Sequence, residues 1–291
     1  MKDQVTRPVL LSVLAHPDDE TFGMGGTLAL YARKGVDVHL VCATRGEVGS
    51  MDPELMKGFS SVGEVRESEL RCAAGVLGLK GVHFLDYRDS GMPGSPDNTH
   101  PQALAAAPLK DVAVKVAGII RKLQPQVVLT FDPIGGYRHP DHIAIQRATV
   151  EAFKLAADPA FIDMEGLSAF QPQRLFFHTI PRGFIKSAIF LIRMSGQNPR
   201  EFGSNKDIDL VSIASENFPV HARIDFSSVK EIRDRASACH VSQGGAQVAT
   251  GIQAWLRKLF QTRELFMQYY PVPGKALRRI DLFEGVELRR K

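Results

Sequence analysis

Val9-Leu10-Leu11-Ser12-Val13-Leu14-Ala15-His16-Pro17-Asp18-Asp19-Glu20 is a short apolar run that stops abruptly at an imidazole and three carboxylates. The apolar half is too short for a helix and reads as a strand buried on both faces of a parallel sheet. Its polar half then lies at the strand's carboxyl end, where open α/β sheets bind their ligands. His16 and Asp19, three positions apart around a turn, converge there on one point.

Working outward, a helix is expected over 22–34, entered through Gly23-Met24-Gly25-Gly26-Thr27, and a second strand over 36–43. Strand, helix and strand make a βαβ unit with a right-handed crossover. The loop 44–61, which carries Arg45, Gly46 and Glu47, is long and polar, and loops at strand ends line sites. A helix over 62–78, a short strand over 82–85 and an amphipathic helix over 109–123 follow, with an aperiodic stretch at 86–108 whose length implies function or mobility. A fourth strand, 126–131, ends in Asp132-Pro133-Ile134-Gly135-Gly136-Tyr137-Arg138-His139-Pro140-Asp141-His142 and opens a helix to about residue 157. In a doubly wound sheet of order 3-2-1-4-5 the first and fourth strands are neighbours, so topology alone brings both histidine-carboxylate clusters to one crevice. Beyond it, strands are expected at 174–178 and 220–224, an apolar helix-like stretch at 184–194, and helices at 230–239 and 251–269. The fold class is α/β, with a mostly parallel sheet and an elaborated C-terminal part.

With 291 residues and 44% hydrophobic content the chain can bury a large core, and it reads as one domain, 1–291, with 161–218 a lid or an insertion. A net charge of +4 spread over scattered lysines and arginines argues against nucleic acid and suits a small molecule. No stretch reaches the roughly 20 apolar residues of a membrane span, and no secretory pattern opens the sequence, so a cytoplasmic protein is expected, with self-association left open. Cys42, Cys72 and Cys239 are far apart, form no CxxC pair, and are read as reduced and buried.

Two imidazoles and one carboxylate at a rigid crevice are the ligand set of a catalytic zinc site that leaves a position for water. His16, Asp19 and His142 are assigned to the metal; Fe²⁺ or another divalent ion is the alternative to Zn²⁺. Asp18, adjacent to a ligand but pointing elsewhere, is the base for a water whose pKa falls toward 7. His139, one turn before His142, is placed to stabilise an oxyanion or protonate a leaving amine, with Asp141 holding its ring. The combination describes metal-assisted hydrolysis of an amide.

These residues resemble the LmbE-like, or PIG-L-like, zinc deacetylases of N-acetylglucosaminyl compounds. The likeness is close at Ala15-His16-Pro17-Asp18-Asp19-Glu20 and His139-Pro140-Asp141-His142, with support from Gly25-Gly26-Thr27, Thr44-Arg45-Gly46-Glu47, Arg66 with Glu69, and His240 with Ser242-Gln243. It implies a Rossmann-like fold, zinc on His16, Asp19 and His142, Asp18 as base, and His139 as acid or oxyanion donor. It also implies an oxyanion role for Tyr137 and a substrate contact for Arg66. The substrate is expected to be a small N-acetylated amino sugar, with Arg66, Arg45 and Glu47 bonding its hydroxyls or an anionic aglycone.

Plainer accounts stand beside these. Asp18 alone would serve as a helix cap, and Arg66 with Glu69 as a surface ion pair. Gly23, Gly25 and Gly26 depart from the GxGxxG spacing, and close helix packing accounts for them better than a dinucleotide. Two alternatives to deacetylation remain: an amidase acting on a larger acyl or thiol-sugar conjugate, and a non-catalytic module that binds a sugar or nucleotide in the same crevice.

Overall fold

The computed structural model describes residues 7–163, 165–180, 182–202, 208–245, 262–274 and 278–288. In chain order these form β1 (Val9–Leu14), α1 (Asp19–Phe22), α2 (Gly25–Arg33), β2 (Asp37–Cys42), α3 (Val62–Leu77), β3 (Gly81–Phe84), α4 (Leu109–Leu123) and β4 (Val127–Phe131). There follow α5 (Gly135–Arg138), α6 (Pro140–Ala157), β5 (Arg174–Thr179), α7 (Arg182–Met194), α8 (Leu210–Ser215), β6 (Ala222–Asp225), α9 (Lys230–Cys239) and β7 (Arg263–Tyr270). The strands make one sheet in the order β3-β2-β1-β4-β5-β7-β6. The first five run parallel, and β7 is antiparallel to both β5 and β6.

The central strands are apolar without alternation because both of their faces are covered. Leu10 to Leu14 and Val127 to Phe131 are all buried. On one side α4 packs along α6, where Val112, Val116 and Ile120 meet the core with Ile145, Ala148 and Ala152. On the other, α3 lies along α9 beside α2. α3 starts where the Ser61 hydroxyl accepts the Glu64 N–H and stops at Gly78, whose φ of 79° only glycine adopts without strain. The order 3-2-1-4-5 expected from the sequence is present, and with it the adjacency of the β1 and β4 carboxyl ends. No described helix is long and apolar enough to cross a membrane.

Three expectations are corrected. The helix expected at 251–269 lies outside the described residues up to 261, and from Arg263 onward the chain is strand β7. Glu, Leu, Met and Gln favour helices individually, but Glu264, Phe266 and Gln268 are buried at every second position between two partner strands, and pairing outweighs propensity. The segment 161–218 is not a lid as a whole. Its strand β5 is interior to the sheet, and the buried Arg121 guanidinium ties the preceding loop down by donating to the carbonyls of Ala156, Asp158, Phe161 and Leu167. The excursion narrows to α7 and α8, where Ile185, Ile189 and Ile213 pack with Ile134 and Tyr137. Finally, Cys72 and Cys239 form a disulfide, and only Cys42 is free and buried. They are 167 residues apart in sequence, and the packing of α3 on α9 brings them together.

Candidate active site

The loop after β1 is folded around its own polar groups. The Asp19 carboxylate accepts the His16 N–H at 2.8 Å, which turns both side chains to one side. Asp18 between them has φ 125° and ψ −30°, a conformation that costs a residue with a side chain about 1–3 kcal/mol and persists only where neighbours impose it. Those neighbours are Glu20, which accepts the Asp18 N–H at 2.9 Å, and Arg66, which donates to the Pro17 carbonyl at 2.7 Å and to Asp18 Oδ2 at 3.0 Å. Asp18 occupies the N-cap position of α1, yet its carboxylate makes no capping bond. Burial pushes that carboxyl up to about 6, even though Arg66 pulls it down.

The second cluster starts α6. His142 Nδ1 lies 3.2 Å from the Gly135 carbonyl and therefore carries the proton, and its ring stacks on Phe131 at 3.9 Å. His16 Nε2 lies 3.1 Å from Asp141 Oδ2 and 3.5 Å from Asp89 Oδ1, so it too is the protonated nitrogen. The inner nitrogens, His16 Nδ1 and His142 Nε2, are left as lone pairs facing each other at 3.2 Å. Asp19 completes the triangle, with Oδ1 3.2 Å from His142 Nε2 and Oδ2 3.6 Å from His16 Nδ1. Three electron-rich atoms directed at one point can hold a cation. Bonds of 2.0–2.1 Å to a tetrahedral zinc ion would separate such donors by about 3.3 Å, so the donor set fits the metal. The surroundings favour positive charge at this point, whether carried by a proton on His16 or by a metal ion. Burial would lower the His16 pKa, but the carboxylates of Asp141, Asp89 and Asp19 lift it well above its ordinary value. Burial would raise Asp19, but His142 and His16 hold it far below the carboxylate range.

His139 also brings a nitrogen within 4.8 Å of the His16 and His142 nitrogens. Its Nδ1, however, accepts the Asp141 N–H at 3.2 Å, which places the proton on Nε2 and makes the ring a donor rather than a ligand. Burial, with His16 and His142 nearby, lowers its pKa to about 2, so the ring stays neutral. The Asp141 carboxylate, expected on the His139 ring, serves His16 instead and is held by the Ser90 N–H at 2.9 Å and by the Ser90 hydroxyl. It is the Asp141 backbone that orients His139. Tyr137 stands edge-on to His142, with ring centroids 4.9 Å apart.

The expected substrate contacts fare differently. Arg66 is 4% exposed and engaged with Pro17, Asp18 and the Gly46 carbonyl; its partner is Asp18, not Glu69. Arg45 pairs with Glu67 and Asp86 and lies over the Phe84 ring, away from the cavity. Glu47 accepts the Asp89 N–H. All three therefore build the loops. A cavity of about 430 Å³ opens beside the cluster, and its lining includes Asp18, Asp19, Tyr137 and His142 together with Phe226, Glu264 and Leu265. Asp89 and Ser90 were not singled out in the sequence, although they lie in the 86–108 stretch whose length flagged it.

The glycines at the start of α2 have a packing role. A Cβ on Gly26 would fall 2.1 Å from Phe226 Cγ, and the Gly26 and Thr27 N–H groups donate to Glu264 at 2.9 and 2.7 Å. The position where a helix N-terminus would receive a phosphate is filled by a carboxylate of the chain itself, which removes the nucleotide-binding alternative at this turn.

Residues 11–153 match the family described as PIG-L: GlcNAc-PI de-N-acetylase. The chain is 35% identical to a 1D-myo-inositol 2-acetamido-2-deoxy-alpha-D-glucopyranoside deacetylase of Streptomyces avermitilis, over 98% of this chain and 99% of that protein. It is 37% identical to a Thermobifida fusca protein of the same name, over 80% and 82%. Among solved structures, N,N'-diacetylchitobiose deacetylase from Pyrococcus horikoshii aligns over 89% of this chain and 83% of its own, with a TM-score of 0.60 and 23% identity. GalB, the 4-carboxy-2-hydroxymuconate hydratase of Pseudomonas putida, aligns nearly as well, over 93% and 99% with a TM-score of 0.57 and 21% identity. Likeness at that level shows the fold; the chemistry has to be argued from the site.

Proposed function

The chain belongs to the PIG-L GlcNAc-PI de-N-acetylase family, and on that premise we propose that it hydrolyses the N-acetyl amide of a glucosaminyl conjugate, releasing acetate and a free amine. The observation that carries this is the triangle of two imidazole lone pairs and a carboxylate beside a base held at φ 125°. The substrate class follows the relatives, whose names specify an N-acetylglucosaminyl inositol.

His16, Asp19 and His142 would hold a divalent ion, taken as zinc, which when bound would supply Lewis acidity toward water and the amide carbonyl. Asp18 accepts the proton of the attacking water. With its carboxyl near 6 it is ionised at neutral pH yet basic enough to act, which is the compromise general-base catalysis favours. His139, neutral with Nε2–H free to donate, stabilises the negative charge that develops on the carbonyl oxygen. Tyr137 presents a phenol whose pKa burial pushes well up, so it also acts as a donor. The proton taken by Asp18 then passes to the nitrogen as the C–N bond breaks. Asp141, by accepting from Nε2–H, fixes the His16 tautomer that leaves Nδ1 available to the ion.

The test is amine release from N-acetylglucosaminyl inositol, N-acetylglucosamine and a longer N-acyl analogue, before and after chelation and zinc repletion. Zinc-dependent amine from the acetylated conjugate is expected. Amine from the long-chain analogue alone would replace acetyl by a larger acyl group, and none from any sugar would remove the substrate class. Asp18→Asn should keep its metal and lose about 10²–10⁴-fold in rate.

A further inference from the structure

Asp18 is held from a direction that the proposed chemistry leaves unused. Glu20, fully buried, accepts the Asp18 N–H through Oε2, and its Oε1 lies 2.6 Å from Nε2 of the equally buried His240. His240 Nδ1 has no partner among the described residues, so the proton resides on Nε2, where it is shared with Glu20. His240 directly follows α9, and attachments to α3 flank it on both sides. Cys72 is bonded to Cys239, and the Ser242 N–H and hydroxyl donate to Glu69 at 2.7 and 2.6 Å. The same helix carries Arg66, which grips the Pro17 carbonyl and the Asp18 carboxylate. Residue 18 is thus restrained at its amide from one side and at its carboxylate from the other, with both restraints anchored on α3.

We propose that His240, acting through Glu20, is a positioning residue for Asp18 in the hydrolysis described above, an inference that rests on Asp18 being the base. By donating to one oxygen of Glu20, His240 fixes the carboxylate so that the other oxygen stays on the Asp18 N–H. Without that donor Glu20 is free to rotate, residue 18 relaxes toward an ordinary backbone conformation, and its carboxylate leaves the line to the attacking water. A displacement of about 1 Å at a reacting group can cost about 10²-fold in rate.

The experiment is a double-mutant cycle on the zinc-loaded protein, with metal content and melting temperature recorded for each variant. His240→Ala should keep its zinc, change KM less than about threefold and lower kcat about 10- to 100-fold. Added to Asp18→Asn it should cost nothing more, since the base it positions is already gone. His240→Gln, which returns an amide N–H near the Nε2 position, should recover part of kcat. Equal losses in both backgrounds, loss of zinc, or unchanged kcat in His240→Ala would each overturn the proposal. Near-normal turnover in Asp18→Asn would instead remove the base assignment beneath it. If His240→Ala does not fold, Ser242→Ala loosens, from the surface, the turn that follows His240. A kcat loss confined to the Asp18 background supports the inference, and an equal loss, or none, in both backgrounds overturns it.

Discussion

Replacing Asp18 by Asn should stabilise the metal-free protein even as it abolishes most turnover. Burial moves the Asp18 carboxyl from 3.8 to about 6, with Arg66 offsetting only part of the effect. A difference of about 2 pKa units, at 1.36 kcal/mol each, means that ionising this group costs the fold about 3 kcal/mol. The sign follows from linkage. An acid whose folded pKa is raised contributes stability that is fully present below its unfolded value, near 3.8, and is lost as the pH rises through about 6. Asn is neutral at every pH. The variant should therefore match the parent near pH 4 and exceed it by up to about 3 kcal/mol at pH 7.5. Urea melts from pH 4 to 8 in the presence of chelator read this directly. Adding zinc should shrink the gain, because a cation on His16, Asp19 and His142 favours the ionised carboxylate. Equal stabilities at pH 7.5, or a gain that persists undiminished to pH 4, would refute the account of a base kept near neutrality by burial.

His142→Ala and Asp19→Ala should each lose zinc on dialysis, and full occupancy in either, read by elemental analysis, would remove that residue from the metal site. Asp141→Asn keeps the side chain's shape but weakens its hold on His16 Nε2–H, and zinc affinity measured by competition should fall about 10- to 100-fold; an unchanged value would confine Asp141 to its backbone contact with His139. Gly26→Ala places a methyl 2.1 Å from Phe226 and should cost about 1–3 kcal/mol in denaturant melts. A neutral result would mean that Phe226 moves aside at no cost.

What could be read from the sequence and what could not divide along a physical line. The meeting of His16, Asp19 and His142 was legible because a buried, largely apolar strand ending in polar residues fixes where those residues go, and because the strand order places β1 against β4. Neither inference depends on the direction of an individual side chain. The role of Asp141 does depend on it: at the second residue of α6 its carboxylate turns toward His16 and Ser90, leaving its N–H to His139. Arg66 has the same history, since only the folded loop shows that Pro17, Asp18 and Gly46 take up its donors. The disulfide and the Glu20–His240 contact join residues 167 and 220 positions apart, and β7 is a strand only because β5 and β6 flank it. Local patterns carry no signal for such pairings.

The position of β7 has a consequence for the order of events during synthesis. As the chain grows, β5 can complete a five-stranded parallel sheet well before residues 263–270 exist, and until then it presents an unpaired hydrogen-bonding edge. β6, made earlier than β7, reaches the sheet through it and has to wait. The same late strand brings Glu264 to the first turn of α2 and Leu265 to the wall of the cavity. A nascent chain stopped short of residue 263 would thus expose an edge suited to pairing with other chains and would lack one side of its catalytic pocket. Premature termination in this region should therefore yield aggregated protein rather than a smaller enzyme.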